Sequence, residues 1–222
     1  AATEIIISQD GIIWVALPRD NEILVFDPSN NQPSAANPNT ILMRQGEGLG
    51  NVPGIRGITM EFDLDNQLWV GTSDGIAVKF NPDNICDETL TERDFERILI
   101  DDGENVEILL AGTEITDIEI DGANRKWIAT NGSGIFLLSE DGKEVISQFT
   151  TENSPLFSDI ILSIAIDEIS GEVYFATGSG LISYRSDVVD GNESLSEVKV
   201  FRIPVREDYS GPISIDSLID QT

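Results

Sequence analysis

The sequence predicts an all-β chain, and three observations carry that expectation. Apolar and polar residues alternate over short runs, as in Ile58, Met60, Phe62 and again Ile118, Ile120. That is the period-two pattern of a strand with one buried face. Glycine turns such as "TSDG", "TNGSG" and "TGSG" separate the runs at hairpin spacing, where a positive φ is needed. No stretch holds a helical period for more than a turn or two.

The elements come in four copies. Each copy opens with an apolar strand ending at an acidic residue: "EIIISQD" (4–10), "GITMEFD" (57–63), "ITDIEID" (115–121) and "ILSIAID" (161–167). A polar turn and an aromatic-led hairpin follow, led by Trp14, Trp69, Trp127 and Tyr174, which stand 55, 58 and 47 residues apart. A last strand is expected at "TILMR" (40–44), "RILI" (97–100) and "VISQFT" (145–150), whereas after "GLISYRSD" the fourth copy has no obvious one. Turn-rich connectors follow at 46–54 and 150–159, and the acidic insertion "NPDNICDETLTERDFE" (81–96) reads as a rim loop.

A period near 50 with three or four short strands per unit is the signature of β-propeller blades. The repeats run from about 4–54, 55–112, 113–158 and 159–190. Four blades are few for a closed ring, and an open one exposes sheet edges. The expectation is therefore part of a larger propeller, its other blades lying upstream. The opening "AATEIIISQDGIIWV" begins inside a strand pattern, as a mature or excised piece would. From Val198 the pattern changes, so 191–222 reads as a linker and the first strands of a C-terminal β-sandwich.

Charge and composition narrow the function. Asp and Glu number 40 against 13 Lys and Arg, a formal charge of −27, which repels nucleic acid. With no histidine, the commonest acid–base catalyst and transition-metal ligand are missing. Cys86 is the single cysteine, so an intrachain disulfide and a Cys-based zinc site are excluded, and a thiol nucleophile would lack its usual base. No run of about 18 apolar residues suggests a membrane-spanning helix.

Candidate contacts are few. Trp14, Trp69 and Trp127 could stack on sugars, but their fixed place in each repeat suits packing better. The turn "NRK" (124–126) could touch an anionic glycan, and is read as a solvated hairpin turn. Arg19, Arg56, Arg125 and Arg185 could grip a phosphate or carboxylate if one face gathered them. The acidic stretches at 63–66, 101–102 and 167–169 lack the full spacing of a calcium loop. Accidental carboxylate pairs are unavoidable among so many acids, so a glycosidase dyad is not inferred. No catalytic, cofactor-binding or metal residue is assigned.

The units resemble two-component-regulator propeller repeats, and more closely the propeller proteins of the type IX secretion attachment complex. The residues that carry this are "IWVALPRDNEILVFDPSN", "LWVGTSDGIAVKFNPDNI", "DGANRKWIATNGSGIFLLSEDG", "FTTENSPLFSDIILSIAIDEISGEVYFATGSGLISYRSD" and "VKVFRIPVREDYSGPISIDSL". The chain departs from the pattern at Leu17, at "NVPGIRG" and at "FRIP" (201–204). The resemblance implies a non-enzymatic, cofactor-free protein on the outer face of the outer membrane. It would bind anionic lipopolysaccharide and present it to a sortase, beside other attachment-complex proteins. The alternative is a periplasmic sensing propeller of a hybrid histidine kinase; a secreted propeller enzyme such as a polysaccharide lyase is weaker.

Overall fold

The structure is a computed structural model that describes residues 4–17, 22–28, 40–54, 56, 58–83, 85–86, 92–101, 106–186 and 188. The proposed sandwich segment 191–222 lies outside the described residues, as does Arg19. Those described form antiparallel sheets and contain no α-helix.

The first sheet holds β1 (Glu4–Ile7), β2 (Ile13–Leu17), β3 (Glu22–Phe26) and β4 (Thr40–Met43) in chain order. The second holds β5 (Thr59–Phe62), β6 (Leu68–Thr72) and β7 (Gly75–Lys79). Next in the chain come β8 (Leu99–Asp101) and β9 (Val106–Ile108), paired with each other. The third sheet is β10 (Ile115–Ile120), β11 (Lys126–Thr130), β12 (Ile135–Leu138) and β13 (Val145–Phe149). The fourth is β14 (Ile161–Asp167), β15 (Glu172–Thr177) and β16 (Gly180–Arg185). Each is one blade, strands in meander order.

Register explains the repeat. Trp14, Trp69, Trp127 and Tyr174 stand opposite Ile6, Glu61, Glu119 and Ala165 on the preceding strand. The turns ahead of the three tryptophans are also equivalent. Gly11, Asn66 and Asn124 occupy one turn position and all have positive φ, the conformation that glycine and asparagine tolerate best.

The core lies in the seams between blades. Trp14, Ile23, Val25 and Met43 of blade one pack against Met60, Leu68 and Val70 of blade two. Trp69 and Ile76 meet Ile118, Ile128 and Leu138 across the next seam. Trp127 and Ile135 meet Ile164, Val173 and Phe175 across the third. All three indoles are fully buried. Gly142, with φ +70°, fits tightly on Trp69: a Cβ there would come within 2.4 Å of the indole.

Two expectations fail in blade two. "RILI" does not supply its last strand: only Glu96 bridges Val78, through paired 2.8 Å hydrogen bonds, before the chain leaves to form β8. Nor is the 81–96 insertion merely a rim loop. Ile85, Cys86 and Phe95 are buried in the first seam, where Phe95 meets Trp14 edge-on at 6.4 Å. Apolar burial pulls this stretch inward. Lys79 Nζ ties it down by donating to the carbonyls of Glu92 and Asp94 (both 3.3 Å).

Candidate functional site

The tryptophans are structural. Asp63 Oδ2 accepts from Trp69 Nε1 at 2.9 Å, while Oδ1 takes the amides of Asp65 (3.0 Å) and Gln67 (2.8 Å). Asp121 repeats this, accepting from Trp127 Nε1 at 3.1 Å and from the amides of Ala123 and Arg125, each at 3.0 Å. One carboxylate thus closes a turn and locks the next blade-spanning ring. In blade one the same position is Ser8, not the Asp10 that the sequence pattern suggested. Ser8 bonds to Asp10 and Ile12 instead, leaving Trp14 Nε1 buried without a hydrogen bond.

The "NRK" turn is not a solvated hairpin. Lys126 is fully buried, 3.1 Å from Asp63 and with its ammonium 4.9 Å from the centre of the Trp69 ring. The Asn124 carbonyl (2.7 Å) and the Glu140 carbonyl accept from it as well. Burial pulls its pKa down from the ordinary lysine value and Asp63 opposes that pull. Arg125 is pinned by Asp121 at 2.8 Å and donates to Ser186 Oγ at 3.0 Å. Both cations stitch blades, because a buried charge is tolerated only when paired.

The remaining arginines do not converge. Arg56 is exposed in the connector before β5, and its carbonyl accepts from the Ser73 amide. Arg185 ends β16, 4.0 Å from Glu172 and largely exposed. The acidic stretches at 63–66 and 167–169 are likewise spent on turns, with Asp167 accepting from Ser170 and from the Ile169 amide, while Asp102 lies outside the described residues. Among the described residues no three ligating side chains are arranged to hold a metal ion. Burial pushes the Cys86 thiol up, away from reactivity.

Two features could meet a ligand. One is a groove of about 330 Å³ between blades two and three, lined by Asp65, Phe80, Arg97, Leu99, Asp141 and Lys143. Arg97 is held there by the Asp74 carbonyl (2.8 Å) and carboxylate (3.2 Å). An aromatic ring, two cations and several acids are the ingredients of a polar, saccharide-type surface.

The other is a cluster of carboxylates on the first strands of three blades, which sequence reasoning missed. Glu4 accepts from the Met60 amide (2.8 Å) and Asp117 from the Ile164 amide (2.7 Å), each reaching into the next blade. Glu61 and Glu119 lie beside them. Burial raises Glu4, Glu61 and Glu119 to about 7, with Asp117 adding repulsion to all three. The sign follows from linkage. Folding favours the protonated acids, so stability is greatest below the ordinary 4.5 and is lost as pH rises through about 7. The melting midpoint should fall across that window, and Glu61→Gln with Glu119→Gln should flatten the slope. An unchanged slope in the double variant would assign the effect to the overall charge instead.

No protein-family profile matches the chain, and no curated protein matches its sequence. Solved structures do. PorZ, described as an essential bacterial surface component of the type-IX secretion system of Porphyromonas gingivalis, is 27% identical with a TM-score of 0.74. The match covers 99% of this chain and 30% of PorZ, so the chain spans under a third of that protein. The extracellular domain assigned to the hybrid two component system BT4673 of B. thetaiotaomicron is 20% identical, TM-score 0.61, covering 82% of this chain and 23% of that one. YCF48 from Cyanidioschyzon merolae shares the fold at 15% identity, TM-score 0.52, over 83% of this chain and 51% of its own. The chain is a set of β-propeller blades that is similar, in sequence and in structure over almost its whole length, to part of PorZ.

Proposed function

We propose that this chain is a non-catalytic binding part of a cell-surface machine of the type IX secretion kind. The observation that carries it is the likeness to PorZ over 99% of the chain. In the fuller form of this reading the blades hold anionic lipopolysaccharide and present it to a sortase. The chemistry of the chain supports a binder. It has no histidine, its buried cations are consumed in blade packing, and its lone thiol is buried. A rigid row of blades suits a scaffold that offers a polar groove to a sugar chain. The carboxylates on the first strands repel an anionic glycan. The reading therefore places it at the groove, where Lys143, 69% exposed and 3.6 Å from Asp141, can exchange that surface ion pair for a phosphate.

Immobilised anionic lipopolysaccharide, with a neutral polysaccharide as control, tests this. The chain should bind the anionic form, more weakly as salt rises, and Lys143→Glu should weaken binding about tenfold, or ~1.4 kcal/mol. Arg185→Glu, on the fourth blade, should not. Equal binding of both polysaccharides, or indifference to Lys143→Glu, would sink the lipopolysaccharide reading.

A further inference from the structure

Where blade two lacks a last strand, the chain builds a two-stranded ribbon that turns an apolar face to solvent. Among the described residues, β8 and β9 pair with each other and with no other strand. Leu99 stands opposite Ile108, and Val106 lies two residues along β9 on the same side. The three are 56%, 41% and 61% exposed. The other side of the ribbon faces inward at Ile100, which packs against the second seam. Leu109 N–H donates to the Ile98 carbonyl at 2.9 Å. The alternation of an antiparallel ladder then bonds Ile100 to Glu107 and aims the backbone groups of Val106 and Ile108 away from β8. The ribbon belongs to the middle of the chain. Both flanks of blade two are already filled, by blades one and three, so further blades of a ring would join elsewhere.

We infer that β9 is a docking edge for an extended, basic segment of a partner protein, which adds to the ribbon as a third strand. Charge selects the occupant. The stretch 96–107 carries Glu96, Asp101, Asp102, Glu104 and Glu107 against Arg97 alone, in a chain of −27. Arg97 is itself paired with Asp74. A strand with Lys or Arg between β-branched residues matches both sides of this edge. Its apolar side chains extend the Leu99, Val106 and Ile108 face, and its cations meet the acids. Backbone bonds supply attachment and the alternating side chains supply selectivity. Pairing with a second copy is disfavoured, because two such edges bring like charges together. Leu99 also lines the groove, so the partner stands at its lip. The inference does not rest on the lipopolysaccharide reading.

Fluorescence anisotropy of a labelled heptapeptide of alternating valine and lysine, titrated with the 222-residue chain, tests this. The peptide should bind, and less tightly as salt rises. A glycine–lysine peptide of the same charge and a valine–glutamate peptide should not. Val106→Ser with Ile108→Ser should weaken binding about tenfold, and Glu107→Lys should weaken it as well. These positions are exposed, and circular dichroism should confirm intact sheets. Val145→Ser with Ile146→Ser, on the exposed outer strand of blade three, should change nothing, and neither should Lys143→Glu weaken it. Equal binding of the glycine–lysine peptide would reduce the effect to bulk charge and overturn the proposal. So would an equal loss in the β13 variant. No binding at all would overturn it too, leaving the ribbon to this chain's own 198–206 run or to a second copy.

Discussion

Replacing Asp63 by alanine should cost about 3–5 kcal/mol, the range for breaking a buried ion pair from one side. Three losses coincide. Lys126 stays fully buried with its ammonium beside the Trp69 ring and no carboxylate. The indole Nε1 loses its acceptor, and the amides of Asp65 and Gln67 lose theirs. Urea unfolding would read the loss as a shifted midpoint at constant slope. The double variant Asp63→Ala with Lys126→Met should recover much of it, because removing both charges abolishes the desolvation cost. A single-variant loss below about 1 kcal/mol would mean that water reaches the ammonium.

Trp127→Ala should be of similar size, about 3–5 kcal/mol for an emptied aromatic site. The ring lies 6.0 Å from Phe149 in a stacked arrangement, with Phe175 and Tyr184 at 5.7 and 5.8 Å. Its removal opens the third seam. Tyr174→Ala is the internal contrast: the same register position, already 39% exposed, should lose under about 1.5 kcal/mol. Equal losses at the two positions would separate stability from seam burial and undo the packing scheme.

Most of the blade plan was legible because it is local. A period of two, a turn asparagine or glycine and a recurring aromatic are written within each repeat, and β4 and β13 fall where the alternation put them. What failed was non-local. "RILI" has a strand's composition, but burial of Phe95 and the Lys79 tether commit the chain before it can extend the sheet. Lys126 was missed because its partner Asp63 belongs to another blade. One signal could have found it. In register, Lys126 stands in a column with Ile13, Leu68 and Val173, and a lysine in an apolar column needs a buried partner. The carboxylate cluster was hidden likewise: Glu4, Glu61 and Glu119 meet only once the first strands lie side by side.

The seam arrangement has an optical consequence. The chain has three tryptophans, and each sits in a different seam. Intrinsic fluorescence is therefore a three-channel report on the molecule: variants that keep a single indole would each watch one joint between neighbouring blades. The joints also differ in quenching surroundings. Trp69 faces an ammonium, Trp14 meets Phe62 and Phe95 edge-on, and Trp127 stacks on Phe149. Whether the blades come apart together or one joint at a time is thus written into the emission spectrum of the unlabelled protein.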